Sequence, residues 1–169
     1  MKNTTLRANL LAIGIAVAAT FSAALVPATS WAYDENSASA VNVDTKGIGL
    51  RGHDPVAYFT AGAPTLGNSS FTAQHNGVTF HFASAANLAA FQADPAKYAP
   101  QFGGFCAMGV VLEKKLDGDP NAWHIADGKL YLNVNKDVQK KWLQDVSGNN
   151  KKAEQIWPSI RSKTPKSLA

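Results

Sequence analysis

The sequence predicts an α+β fold, a small antiparallel sheet of two hairpins with helices packed on one face. Three observations lead there. Asn76-Gly77 stands between two strand-like runs and suits a two-residue type I′ turn, which needs positive φ at both positions. Asp127-Gly128 occupies the equivalent place in a second alternating stretch. After each hairpin the apolar spacing changes from two to the three-to-four of a helix.

Taken in order, the first 32 residues stand apart. Lys2 and Arg7 precede an apolar, Ala-rich run over residues 10–26, and Ser30-Trp31-Ala32 forms a small-x-small cleavage pattern. An export signal over 1–32 is expected, with a mature start at Tyr33 and a periplasmic or secreted product. An uncleaved membrane anchor is the competing reading, since the apolar run is nearly long enough to span a bilayer. A single arginine argues against a twin-arginine signal, and no cysteine lies near the site to carry a lipid.

Residues 33–46 are small and polar and are expected to form an exposed, flexible lead-in. A single domain over 47–161 and a frayed basic tail over 162–169 follow. Gly47, Gly49 and Gly52 mark turns, and Val56, Tyr58 and Phe59 are expected to pack on the first hairpin. Residues 60–70 read as a loop. In the strand after Gly77, Val78, Phe80 and Phe82 share one face, opposite Thr79 and His81. Ser84 is placed to cap a helix that presents Leu88 and Phe91, and Asp94-Pro95 to start a short helical turn. Gly103-Gly104 predicts a sharp reversal. Residues 109–116 are expected to form a short strand ending in the charged Glu113-Lys114-Lys115, followed by a turn over 117–120. In the second hairpin Trp123 and Ile125 share a face, as do Leu130 and Leu132. A helix from Lys136 carries Val138, Trp142 and Val146 and is expected to stop at residues 147–150. A last helix has Ala153, Ile156, Trp157 and Ile160 on one stripe and is expected to be shortened by Pro158.

Composition bounds the function. At 46% hydrophobic and 17% charged, the chain is ordinary globular material. Its formal charge of +4 includes Lys2 and Arg7, so loss of the signal leaves +2, concentrated in Lys151, Lys152, Arg161, Lys163 and Lys166. A basic end of this kind gives no reason to invoke nucleic acid. No stable membrane anchor is expected once the signal is removed.

Asp54-Pro55-Val56, Phe82-Ala83-Ser84, Phe91 and Pro95-Ala96-Lys97-Tyr98 together resemble the pattern of a YHS domain. This small module is found beside copper-transporting ATPases and in many exported proteins. Members near metal transporters often carry cysteines after Asp-Pro-Val, after the hairpin Phe, and four residues further along the helix. Here those positions hold Ala57, Ala83 and Asn87. The resemblance implies an exported binding module with a link to metals, in a variant that lacks the usual thiolates.

The sole cysteine is Cys106, which has no intramolecular disulfide partner. Its plain reading is a small buried hydrophobe in a glycine-rich turn. In an extended segment, however, Cys106 and Met108 would point the same way and offer thiolate and thioether to one soft cation. His81 and His124 alternate with apolar strand residues and leave the main core on the opposite face, where imidazole could complete the set. The expected metal ligands are therefore Cys106, Met108, His81 and His124, with copper as the suited ion. His53 is expected to stabilise a turn and His75 to be exposed. No H-x-x-x-H or C-x-x-C spacing supports them.

Enzyme motifs are missing: there is no G-x-S-x-G, H-E-x-x-H or P-loop. No catalytic residue is expected. Asp117, Asp119 and Asp127 lack the glycine and terminal glutamate of a calcium loop and read as turn formers. Trp123, Tyr131 and Trp142 fit either a small apolar pocket or the core. Two functions follow from the sequence. One is an exported binding protein that holds or passes a soft metal; the other is a metal-free interaction or small-ligand module.

Overall fold

The computed structural model describes residues 33–169. The expected export signal lies outside the described residues. The chain runs from α1 (Ala57–Thr60) into β1 (Asn68–His75) and β2 (Val78–Phe82), then α2 (Ala85–Ala93), α3 (Pro95–Tyr98) and α4 (Ala107–Val111). The second hairpin, β3 (Asp119–Ala126) and β4 (Lys129–Asn133), leads to α5 (Lys136–Trp142) and α6 (Val146–Ile160). This is an α+β fold, with each hairpin forming its own two-stranded antiparallel sheet.

Both turns have the backbone their residues predict. Asn76 and Gly77 stand at φ 51° and 75°, and Asp127 and Gly128 at 50° and 70°. Tight turns lock the register, pairing His75 with Val78 and Ala126 with Lys129. The first hairpin starts at Asn68, so the loop expected over 60–70 yields its last residues to β1.

Alternation along β4 divides the interior in two. Leu130 and Leu132 join Val56, Tyr58, Phe80 and Phe82 in one core, which Phe91 of α2 closes. Tyr131, between them, faces a second core with Val110, Trp142, Ala153 and Ile160. Caps fix the helices that close these cores. Ser84 Oγ accepts from the Asn87 N–H at 3.1 Å, and the Asp94 carboxylate from Lys97 N–H at 3.1 Å.

Several expectations give way. Residues 107–111 form α4 and not the expected strand. Phe102, Gly103 and Gly104, at φ 51°, 62° and 83°, reverse the chain and let Cys106 act as the N-cap. Glu113, at φ 62°, ends α4 in a Schellman arrangement: its N–H reaches Val110 O and that of Lys114 reaches Gly109 O, both at 2.9 Å. Residues 147–150 do not stop a helix but open α6, because the Asp145 carboxylate accepts from Gly148 N–H at 2.9 Å. Pro158 sits inside α6 without shortening it. The backbone bond it forfeits would go to Glu154, and both residues are exposed, so water can replace it.

Nor are the ends of the domain loose. In the expected lead-in, Val41, Asn42 and Asp44 are buried, and Asn42 N–H donates to Gly103 O at 2.8 Å. Any side chain at Gly103 would run into the Ala40 carbonyl, so this crossing needs glycine. In the expected tail, Pro165 is buried and Lys166 N–H donates to Glu35 O at 3.0 Å.

Lys115 accounts for this closure. Expected at the charged end of a strand, it is instead only 1% exposed. Its ammonium donates to the carbonyls of Ser39, Arg161 and Lys163 at 2.8, 3.1 and 2.7 Å, matching three N–H bonds with three acceptors. The Phe105 ring lies 4.6 Å from the same nitrogen. Burial lowers the Lys115 pKa to about 8.

Candidate functional site

Asp54 is the polar centre of the first half of the domain and is fully buried. Its Oδ1 accepts from the N–H groups of Val56 and Ala57 at 2.8 and 3.3 Å. Its Oδ2 accepts from Ala83 N–H at 2.8 Å and from the Asn87 side-chain amide at 2.6 Å. Pro55 helps bring this about, since it favours the turn that leads into α1. Ala57, Ala83 and Asn87, where the resembled family would carry cysteines, thus meet at one carboxylate. In this chain the meeting point is a closed hydrogen-bonded hub. It anchors the loop before α1 to the β2–α2 junction and holds no thiolate.

Cys106 caps α4. Its sulfur is buried, accepts from Gly109 N–H at 3.2 Å, and lies 3.7 Å from Asn133 Oδ1. Burial pushes the thiol pKa up, and the backbone N–H groups of Gly109, Val134 and Met108 pull it only part of the way back. Because Cys106 caps a helix, the segment is not extended, and the geometry expected to aim Cys106 and Met108 at one cation is absent. Met108 is a half-buried residue of α4 whose N–H donates to Asn133 Oδ1 at 3.3 Å.

The two candidate histidines belong to different hairpins. His81, on β2, pairs with Thr72. His124, on β3, stands edge-on to Trp142 at 5.9 Å, against the second core that the sequence did not reveal. Among the described residues, no group of three or more His, Cys, Asp or Glu side chains is placed to hold a metal ion.

The remaining sequence candidates are structural. His53 Nδ1 lies 3.1 Å from Leu50 O and steadies a turn, as expected, and burial lowers its pKa. Asp117 pairs with Arg51 and accepts from the Asn42 amide, while Asp119 accepts from Asn121 N–H at 2.9 Å. Tyr131 lies tilted against Trp142 at 5.3 Å, whereas Trp123 meets Tyr58 at 5.2 Å on the other face of the hairpin, so the three aromatic residues share no pocket. His75 is half-buried and not exposed, with its ring edge-on to Phe91 at 5.8 Å.

A cleft of about 510 Å³ opens beside His75. The tip of the first hairpin, Val41, the Ala99-Pro100 turn and the end of α6 enclose it, with Trp157 and Arg161 on the helical side. This volume lies in the range of roughly 300–1,000 Å³ common for small-molecule sites. Trp157 is held from behind by the rings of Phe102 and Phe105, at 5.8 and 6.1 Å. Arg161 N–H donates to Trp157 O at 2.9 Å, so the helical path continues and both side chains lie on one face. The Arg161 backbone is pinned through its carbonyl by Lys115, while its side chain is exposed. Two smaller cavities, of about 250 and 200 Å³, lie beside Tyr33 and beside Asn150.

The sequence reading misses this site: Trp157 does pack against the second core, as its stripe predicts, but it also lines the cleft, as do Arg161, assigned to a basic end, and His75, assigned to solvent. The four-residue spacing of Trp157 and Arg161 is the one available signal. Among the described residues no helix is long and apolar enough to cross a membrane. The molecule is an α+β protein of two hairpins, two cores and a lateral cleft. No family model matches the chain, nor does any curated protein or solved structure.

Proposed function

We propose that this chain is an exported YHS-type module that binds a small organic ligand, without a metal, in the cleft between the first hairpin and the end of α6. The cleft carries the reading: an aromatic residue, Trp157, and a cationic one, Arg161, line one open volume near 510 Å³. The meeting of Ala57, Ala83 and Asn87 at Asp54 supports the YHS likeness and also its departure from metal chemistry. The only cysteine is turned inward as a helix cap, where it serves packing better than ligation.

An anaerobic competition of the reduced protein against a Cu(I) chelator tests the metal-free part. Wild type and Cys106→Ser should compete equally poorly. Stoichiometric Cu(I) uptake that disappears in Cys106→Ser would overturn the proposal in favour of the soft-metal reading.

A further inference from the structure

We infer that the cleft selects a flat aromatic carboxylate, an inference that rests on the ligand-binding reading above. Charge is the first argument. Arg161 brings a permanent cation to the lining, to which, among the described residues, no aspartate or glutamate contributes. None of the ion pairs formed by the described residues involves Arg161. A guanidinium offers planar, paired donors that match a carboxylate.

Shape is the second argument. Phe80, Val41 and Pro100 line the cleft together with Trp157, whose ring is half-buried and braced by Phe102 and Phe105. A braced indole is a rigid surface for an offset aromatic stack and loses little entropy when a ring is laid against it. Trp157 and Arg161 sit one helical turn apart on a backbone that Lys115 clamps. Ring and charge of the ligand would therefore meet a fixed pair. An anion without an apolar body leaves the aromatic wall unused, and a neutral ring leaves the guanidinium unpaired.

The test titrates the purified protein with 1-naphthoate, its neutral isostere 1-naphthamide, and octanoate, following the indole N–H of Trp157 by NMR. Naphthoate should bind one to one, at least about tenfold more tightly than either of the others. Arg161→Gln should bring naphthoate to the naphthamide level and leave naphthamide binding unchanged, which also reports an intact fold. Lys152→Gln, an exposed charge change elsewhere on α6, should alter nothing. Equal binding of naphthoate and naphthamide, or of naphthoate in wild type and Arg161→Gln, overturns the anion selection while the cleft reading stands. Equal binding of octanoate overturns the aromatic selection. If no probe shifts Trp157 at millimolar concentration, both the inference and the cleft reading fail.

Discussion

Replacing Asp54 by asparagine changes one oxygen into an amide and keeps the side-chain volume, so it isolates the hydrogen-bonded hub. The native carboxylate accepts from four donors, two at each oxygen. The least costly placement points the new NH2 toward Ala83 and Asn87; the Asn87 amide can flip to offer its oxygen, but the Ala83 N–H has nothing to donate to. One buried bond to a charged acceptor is then lost, for an expected destabilisation of about 1.5–3 kcal/mol. That is a substantial part of the roughly 5–15 kcal/mol that holds a domain folded. Urea unfolding should show a lower midpoint at an unchanged slope. Asn87→Ala removes one donor and should cost about 1.5–3 kcal/mol alone, but much less when combined with Asp54→Asn, because the two share a bond. A loss below about 1 kcal/mol for Asp54→Asn, or full additivity of the pair, would refute the hub.

Two further outcomes are expected. Gly77→Val should cost about 1–3 kcal/mol in thermal unfolding. Gly77 stands at φ +75° with open space where a side chain would project, so the loss is backbone strain alone, and an unchanged midpoint would count against it. Cys106 should alkylate far more slowly in the native protein than in urea. Since burial raises its pKa, the native rate should climb only at a pH above that at which the unfolded thiol reacts, and equal pH profiles would contradict the packing role.

Local rules make much of the fold legible. Asn-Gly and Asp-Gly turns, the Ser84 and Asp94 caps and the period-two strands depend on neighbours within a few residues. Where distant parts of the chain decide, the sequence reading fails. Lys115 looks like a surface charge because its three acceptors lie 76, 46 and 48 residues away. Residues 109–116 look like a strand because the positive φ of Phe102 and Glu113 is rare for such side chains and has no sequence signature. Ser147-Gly148-Asn149-Asn150 has the composition of a helix stop, but Asp145 turns it into a start. The cleft is hidden for a related reason: its lining comes from residues 40–41, 75–76, 80, 99–100, 103, 157 and 161, which no local pattern joins.

The two-faced strand β4 has a consequence for how the molecule comes apart. A slip of one residue would send Tyr131 into the first core and Leu130 and Leu132 into the second, spoiling both at once. Because β4 walls both cores, melting of one half strips packing from the strand that the other half rests on. The two halves are therefore expected to unfold together, with the amides of the five β4 residues among the slowest to exchange with solvent deuterium.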